Sequence, residues 1–350
     1  MSDNRDTPKP GRGCGFGCAL AIGMFIGFGL LTAALVMGSL HALNVAGEHG
    51  VAAWVHSLRA HPEAGEDEAP NLIETWSSGC GEVKVVRIPL SGMIMLGDSS
   101  WYAGNAATAL RAIRRAKHDP EVEGLILEIN SGGGGITDSD ILYQALCDFK
   151  ASAKGRVVVS LLGDVAASGG YYVALASDAI LAHPTTLTGS IGVLLQAYNI
   201  QELAAKIGIR DVTVKSGENK DLFNPFQEVK PAQREMVQKI ITAMHERFVG
   251  LVAQNRTLPI ETVRPLADGR VFLADEALRH KLIDGIGYQA DAQSRIAQLL
   301  ETDAVKVFRY DEQVTLMDLF TRPGIGLQAD LGRFLREGVR DARLLYRWSW

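Results

Sequence analysis

RVVVSLLGDVAASGGYY, from Arg156 to Tyr172, decides how this chain is read. Arg156–Leu162 has the β-branched, apolar character of a buried strand. Small residues follow, and a helical pattern opens at Ser168. A serine in that position lies where helix N-terminal amides and the helix dipole favour developing negative charge. Ala166, Ala167, Gly169 and Gly170 leave room for another backbone to come close. The N–H of Gly169, directly after the serine, is placed to donate to an oxyanion. The same letters also suit an ordinary small-residue turn before a helix, so the motif does not stand alone.

Outward from it, strand and helix patterns alternate. Val83–Ile88 and Val122–Asn130 read as strands, residues 104–117 and 138–149 as helices. In the first of these helices Leu110 and Ile113 face inward and Arg111, Arg114 and Arg115 outward. Alternation of this kind predicts an α/β domain with a largely parallel sheet. The later chain is more helical: Lys230–Asn255, opened by Pro231 at a first-turn position, then 274–282 and 288–300.

Three further motifs carry chemistry. In INSGGGGITDS, Ile129–Ser139, four glycines follow a buried strand, and such a loop can offer amides to an anion. It matches neither the P-loop nor the G-x-G-x-x-G fingerprint, so an oxyanion suits it better than a nucleotide. TGSIGV spans Thr188–Val193 and KSGENKD spans Lys215–Asp221. A nucleophilic serine needs a base, and His183 is the sole histidine of the central region. A neutral lysine can serve. The pKa of a lysine in that role must fall from about 10.4 toward 7–8, roughly 4 kcal/mol of desolvation or cationic neighbours. Lys215 and Lys220 are the two candidates in the motif.

Taken in order, these motifs resemble the signal peptide peptidase A family of membrane-bound Ser-Lys proteases. Asn130–Ile141 is similar to its N-S-P-G-G segment, Ala166–Tyr172 to A-A-S-G-G-Y-Y, Thr188–Val193 to T-G-S-I-G-V and Lys215–Asp221 to K-S-G-x-x-K-D. Asp268–Gly287 resembles the later D-G-R-V motif. The resemblance covers residues 82–300 and is to the short branch with one protease domain. It implies a Clp-protease/crotonase-type α/β fold. It assigns Ser168 as nucleophile, Lys220 as general base, Ser190 as the residue orienting the lysine amine, and Gly134 and Gly169 as oxyanion donors. Gly133 is an alternative to Gly134. In short members of the family each serine-lysine pair is shared between neighbouring protomers, which implies a homo-oligomer. It needs no metal or cofactor, and its substrates are cleaved signal peptides and other apolar peptides. Gly132 stands where the family has proline, and a glycine there adds looseness to the loop.

The ends of the chain set its expected location. No formal charge occurs from Gly13 to Gly47, and the 27 residues Cys14–Leu40 form the most apolar part. A helix of that length is about 40 Å long, more than the roughly 30 Å hydrocarbon core of a bilayer. An uncleaved transmembrane anchor at 13–45 is expected. Arg5, Lys9 and Arg12 precede it, so the tail 1–12 is expected in the cytoplasm and the rest outside. In an inner membrane the catalytic domain then faces the periplasm. Residues 46–81, with the acidic, Pro-containing His61–Pro70, read as a linker. Residues 82–300 form the protease domain and 301–350 an extension. Leu327–Trp350 repeats apolar residues at helical spacing and carries five arginines against three acids, an amphipathic helix able to pack or to lie on a membrane.

Composition narrows the alternatives. A net charge of −5 argues against nucleic acid as a partner. Four cysteines with no C-x-x-C pair argue against zinc, and an oxidising compartment would allow, without demanding, a Cys80–Cys147 disulfide. Two other readings remain: an inactive membrane-tethered scaffold, and a crotonase-like enzyme acting on acyl-thioesters.

Overall fold

The computed structural model describes residues 72–96, 105–312 and 345–347. The expected anchor, the cytoplasmic tail and most of the linker lie outside the described residues. Among the described residues no helix is long and apolar enough to cross a membrane.

The strands are β1 (Leu72–Ser78), β2 (Val83–Ser91), β3 (Val122–Ser131), β4 (Gly133–Gly135), β5 (Val157–Ala167), β6 (Ala179–Ala182), β7 (Leu187–Gly189), β8 (Val271–Leu273), β9 (Gly285–Ile286), β10 (Val305–Glu312) and β11 (Leu345–Arg347). The helices are α1 (Ala106–His118), α2 (Ile136–Ser152), α3 (Gly169–Ala174), α4 (Gln201–Lys206), α5 (Pro231–Asn255), α6 (Ile260–Val263), α7 (Ala274–Arg279) and α8 (Gln289–Leu299).

The main sheet runs β1-β10-β2-β3-β5-β6-β9, parallel from β10 to β9, with β1 antiparallel at one edge. Its central strands are buried on both faces, as a parallel sheet covered by helices requires. Leu125, Leu127 and Ile129 of β3 point into one core with α1 and α2. Ile126 points into a second core, shared with Ala292 and Ile296 of α8. β5 changes neighbours along its length. Residues 159–162 pair with β6, whereas Val165–Ala167 pair with β7, which in turn pairs with β8. That split sets the last residue of β5 beside the end of β7.

Two expected boundaries move. The linker does not reach residue 81, because Leu72–Ser78 forms β1. The protease sheet does not end at 300, because β10 inserts between β1 and β2. β1 is an edge strand with Ile73 and Trp76 exposed, so it lacks the alternation that marks a half-buried strand. The helical spacing over 327–350 fails at Leu345–Arg347, which are extended and paired with β4; the rest of that stretch lies outside the described residues. Cys80 and Cys147 are free thiols.

One ion pair ties the α5 end to the sheet. Arg256 donates to both oxygens of Asp284, at 2.9 and 2.6 Å, and Asp284 Oδ2 also accepts the Ile180 amide at 2.7 Å. Burial alone would raise the Asp284 carboxyl. The Arg256 hydrogen bonds and the Ile180 amide outweigh it and hold the group below its usual range. A carboxylate with a depressed folded pKa stabilises fully above its unfolded value of about 4 and loses that contribution as pH falls through the folded value. Asp284→Asn is therefore expected to destabilise by about 2 kcal/mol at pH 7, measured by urea unfolding. The gap to wild type should shrink below pH 4.

Candidate active site

Ser168 follows the last residue of β5 and caps α3. Its backbone lies at φ 54°, ψ −117°, a conformation that costs an L-residue of order 1–3 kcal/mol. A strained strand-to-helix turn of this kind lifts a side chain away from both elements. The Ser168 hydroxyl caps no amide of α3, and the residue is 1% exposed. Its own N–H donates to Gly189 O at 2.8 Å. Because Ala167 and Gly189 are register partners in parallel strands, Ser168 and Ser190 emerge side by side. Ser190 also has positive φ, 50°, and its N–H donates to Arg270 O at 2.8 Å.

The glycine loop closes over this pair. β4 is bridged on one edge by Ile94, whose N–H donates to Gly133 O at 3.0 Å and whose carbonyl accepts from Gly135 N at 2.8 Å. The Gly133 amide donates to Ser131 Oγ at 3.1 Å, and that hydroxyl donates to Gly92 O at 2.6 Å. Alternation along the strand points the Gly134 N–H away from Ile94. Of the three glycines, Gly134 has its amide directed to the other edge. That edge abuts α3, since a Cβ placed on Gly169 would come within 3.2 Å of Gly134 N and 2.5 Å of Ser139 Oγ. Gly169 N–H has no hydrogen-bond partner among the described residues. The structure thus gathers Ser168, Gly169, Gly134 and Ser190, on three separate segments, at the carboxyl ends of parallel strands, where open α/β sheets bind ligands.

α3 is pinned on both sides. Tyr171 OH donates to Leu282 O at 2.8 Å. Tyr172 OH donates to Asp140 at 2.6 Å, and Arg247 donates to both Tyr172 OH and Asp140. These two tyrosines, with Ser131 and Ser139, position the site and were not singled out from sequence. The Tyr-Tyr pair following Gly-Gly was the one visible signal.

Lys220 is placed differently. It is exposed, and its amine makes no hydrogen bond or ion pair among the described residues. Lys215 is committed elsewhere, its Nζ 2.7 Å from Asp221 Oδ1. Both lie in a segment, residues 196–230, whose hydrogen bonds run within the segment or to Gln233 and Arg234 at the start of α5. No hydrogen bond joins Lys220 to Ser168 or Ser190. Among the described residues no group of three or more metal-ligating side chains is assembled.

The chain is similar to known peptidases. A family model described as peptidase family S49 matches residues 150–303, which include Ser168, Ser190 and Lys220 but not Gly134. A protein of Enterococcus faecium named as signal peptide peptidase SppA is 32% identical over 246 residues, 69% of this chain and 71% of that one. A protease of Synechocystis is 34% identical over 224 residues, 64% of this chain and 77% of that one. Protease 4 of Salmonella typhi is 30% identical over 229 residues but is spanned to only 37% of its length. Among solved structures, a ClpP1 mutant from Listeria monocytogenes aligns over 60% of this chain and 94% of that one, with 16% identity and a TM-score of 0.38. With two relatives above 30% identity covered over more than two thirds of their length, this chain belongs to peptidase family S49, that of signal peptide peptidase A, and is a serine peptidase.

Proposed function

We propose that the chain is a membrane-anchored endopeptidase in which Ser168 is the nucleophile and Lys220 of a neighbouring protomer the general base. The observation that carries this reading is the strained, buried Ser168 with the Gly169 and Gly134 amides beside it. Ser168 Oγ attacks the scissile carbonyl and gives its proton to the neutral lysine amine. The Gly169 and Gly134 N–H groups receive the oxyanion. The lysine then protonates the leaving amine, and the acyl-enzyme forms. Water attacks that ester in turn, its proton passing to the lysine, and Ser168 is released with the peptide acid. Ser190 orients the amine.

An exposed lysine in this protomer becomes desolvated only when another surface covers it. The 196–230 segment is built to be covered: Leu203, Ile207, Ile209, Val212 and Val214 are all exposed, Val214 to 95%. A patch of this kind marks an interface, and a second copy of the chain is the occupant that would also bring Lys220 to a Ser168. The apolar segment at 13–45 supports anchoring, with the catalytic domain on the extracytoplasmic face of the inner membrane. Cleaved signal peptides and other apolar peptides would be met there as substrates.

An acyl-phosphonate serine probe tests the nucleophile. Wild-type oligomer is expected to label at Ser168, Ser168→Ala to stay unlabelled, and Ser190→Ala to label more slowly. Labelling of Ser168→Ala at the wild-type rate would refute the assignment.

A further inference from the structure

The carboxylates nearest Lys220 in sequence are each held by another group. The Lys220 N–H closes a turn on Gly217 O at 3.1 Å, and Asp221 follows directly. Lys215 Nζ donates to Asp221 Oδ1 at 2.7 Å. Glu218 accepts from Lys230 Nζ at 2.6 Å. Asp211 accepts from the Thr213 hydroxyl and from the Asn224 and Gln227 side-chain amides, at 2.6, 2.7 and 2.8 Å. The remaining charges of residues 206–230, Lys206, Arg210 and Glu228, are exposed. α5 meets this segment through the neutral Gln233, which donates to Glu218 O and Asn219 Oδ1. On the surface that carries Ser168 and Ser190, Arg270 pairs with Asp268 and Arg247 with Asp140.

We propose that Lys215 is the counter-cation of Asp221, a positioning residue that keeps this carboxylate from pairing with the Lys220 amine and so leaves the amine able to lose its proton. This rests on the protease reading given above. An anion one residue from the base would hold the ammonium form, since opposite charge favours the charged state. The Asp221 side chain is 14% exposed, so solvent screens its charge poorly. A second copy closing over the segment would strengthen that field by removing water. Lys215 supplies the opposite charge at hydrogen-bond distance. Its hydrogen bond holds the Asp221 carboxyl below the usual carboxylate range, so the pair stays ionised wherever a lysine could act as base. The two lysines of KSGENKD then have different tasks: Lys215 neutralises the aspartate, and Lys220 takes the proton.

The pH dependence of kcat/KM for a fluorogenic apolar peptide tests this in four oligomers: wild type, Lys215→Met, Asp221→Asn and the double variant. The acid limb reports the base of the free enzyme. Lys215→Met frees the carboxylate for Lys220 and should move the limb upward by about one pH unit. Asp221→Asn leaves an unpaired ammonium nearby and should move it downward by a similar step. The double variant removes both charges and should return the limb close to wild type. Loosening of the segment would instead lower the plateau at every pH and leave the limb in place. A second measurement needs no turnover. On Ser168→Ala oligomers carrying the same substitutions, acetylation of Lys220 by acetic anhydride is followed across pH by mass spectrometry, because only the neutral amine reacts. Its onset should move in the same order as the limb. Onsets that move while the limb stays would keep the pairing and overturn Lys220 as the base. Onsets that coincide in wild type and both single variants would overturn the proposal.

Discussion

Lys220→Ala is expected to lower kcat for peptide hydrolysis by at least about 10³-fold, with the oligomer intact. A serine hydroxyl is a poor nucleophile without a base, and the groups around Ser168 in its own chain are amides, small residues and another hydroxyl. Lys215→Ala is the informative comparison. Its ammonium already pairs with Asp221 at 2.7 Å, whereas the Lys220 amine has no partner among the described residues. Lys215→Ala should lower activity far less, through loosening of the segment that carries Lys220. Equal losses in the two variants would mean that the segment, and not one amine, matters. Steady-state kinetics with a fluorogenic apolar peptide reads both.

Gly134→Ala is expected to lower kcat by about 10²-fold or more. The residue has no space for a side chain: a Cβ there would overlap the Ile94 carbonyl oxygen and crowd its amide nitrogen at 2.6 Å. The loop must shift, and the Gly134 amide proposed as an oxyanion donor shifts with it. Gly250→Ala is the control, since a Cβ on that helical glycine meets nothing within 4 Å, and its activity should match wild type. If Gly134→Ala also keeps wild-type kcat, the oxyanion is held by other donors. The Ser131 side chain bears on the same loop. Where the family has proline, Gly132 leaves the backbone free, but the Ser131 hydroxyl ties Gly133 to Gly92 on either side of it. Local hydrogen bonds thus restrain the loop that a ring would have stiffened.

The placement of Ser168 was legible because everything that sets it is local. A buried strand, two small residues and a short helix occupy seventeen consecutive positions from Arg156 to Tyr172, and the structure needs only the β5–β7 split to finish the turn. Gly134 was half legible. The glycine run announced a loop with free amides, but the choice between Gly133 and Gly134 rests on the Ser131 hydroxyl and on Ile94, which lies far upstream. The outer strands were illegible for a related reason. β1 pairs with β10 across more than two hundred residues of chain, and an exposed edge strand carries little periodicity. Leu345 and Tyr346 carry a helical spacing that loses to the open edge of β4, a case of tertiary pairing overriding local pattern. The proposed base, Lys220, stands in a motif of the sequence but in no contact with Ser168 within one chain, which leaves it exposed.

Whether the serine and the lysine of one site come from different protomers is tested most directly by mixing two inactive chains. Ser168→Ala and Lys220→Ala oligomers would each be prepared, shown to be inert toward a fluorogenic apolar peptide, dissociated together and reassembled. If serine and lysine come from different protomers, an interface between the two mutants can hold one intact pair, and the mixture should regain roughly a quarter of wild-type activity for random assembly of neighbours. If both groups act within one chain, every chain in the mixture lacks one of them. A mixture that reassembles fully and remains as inert as its parents would contradict the shared site.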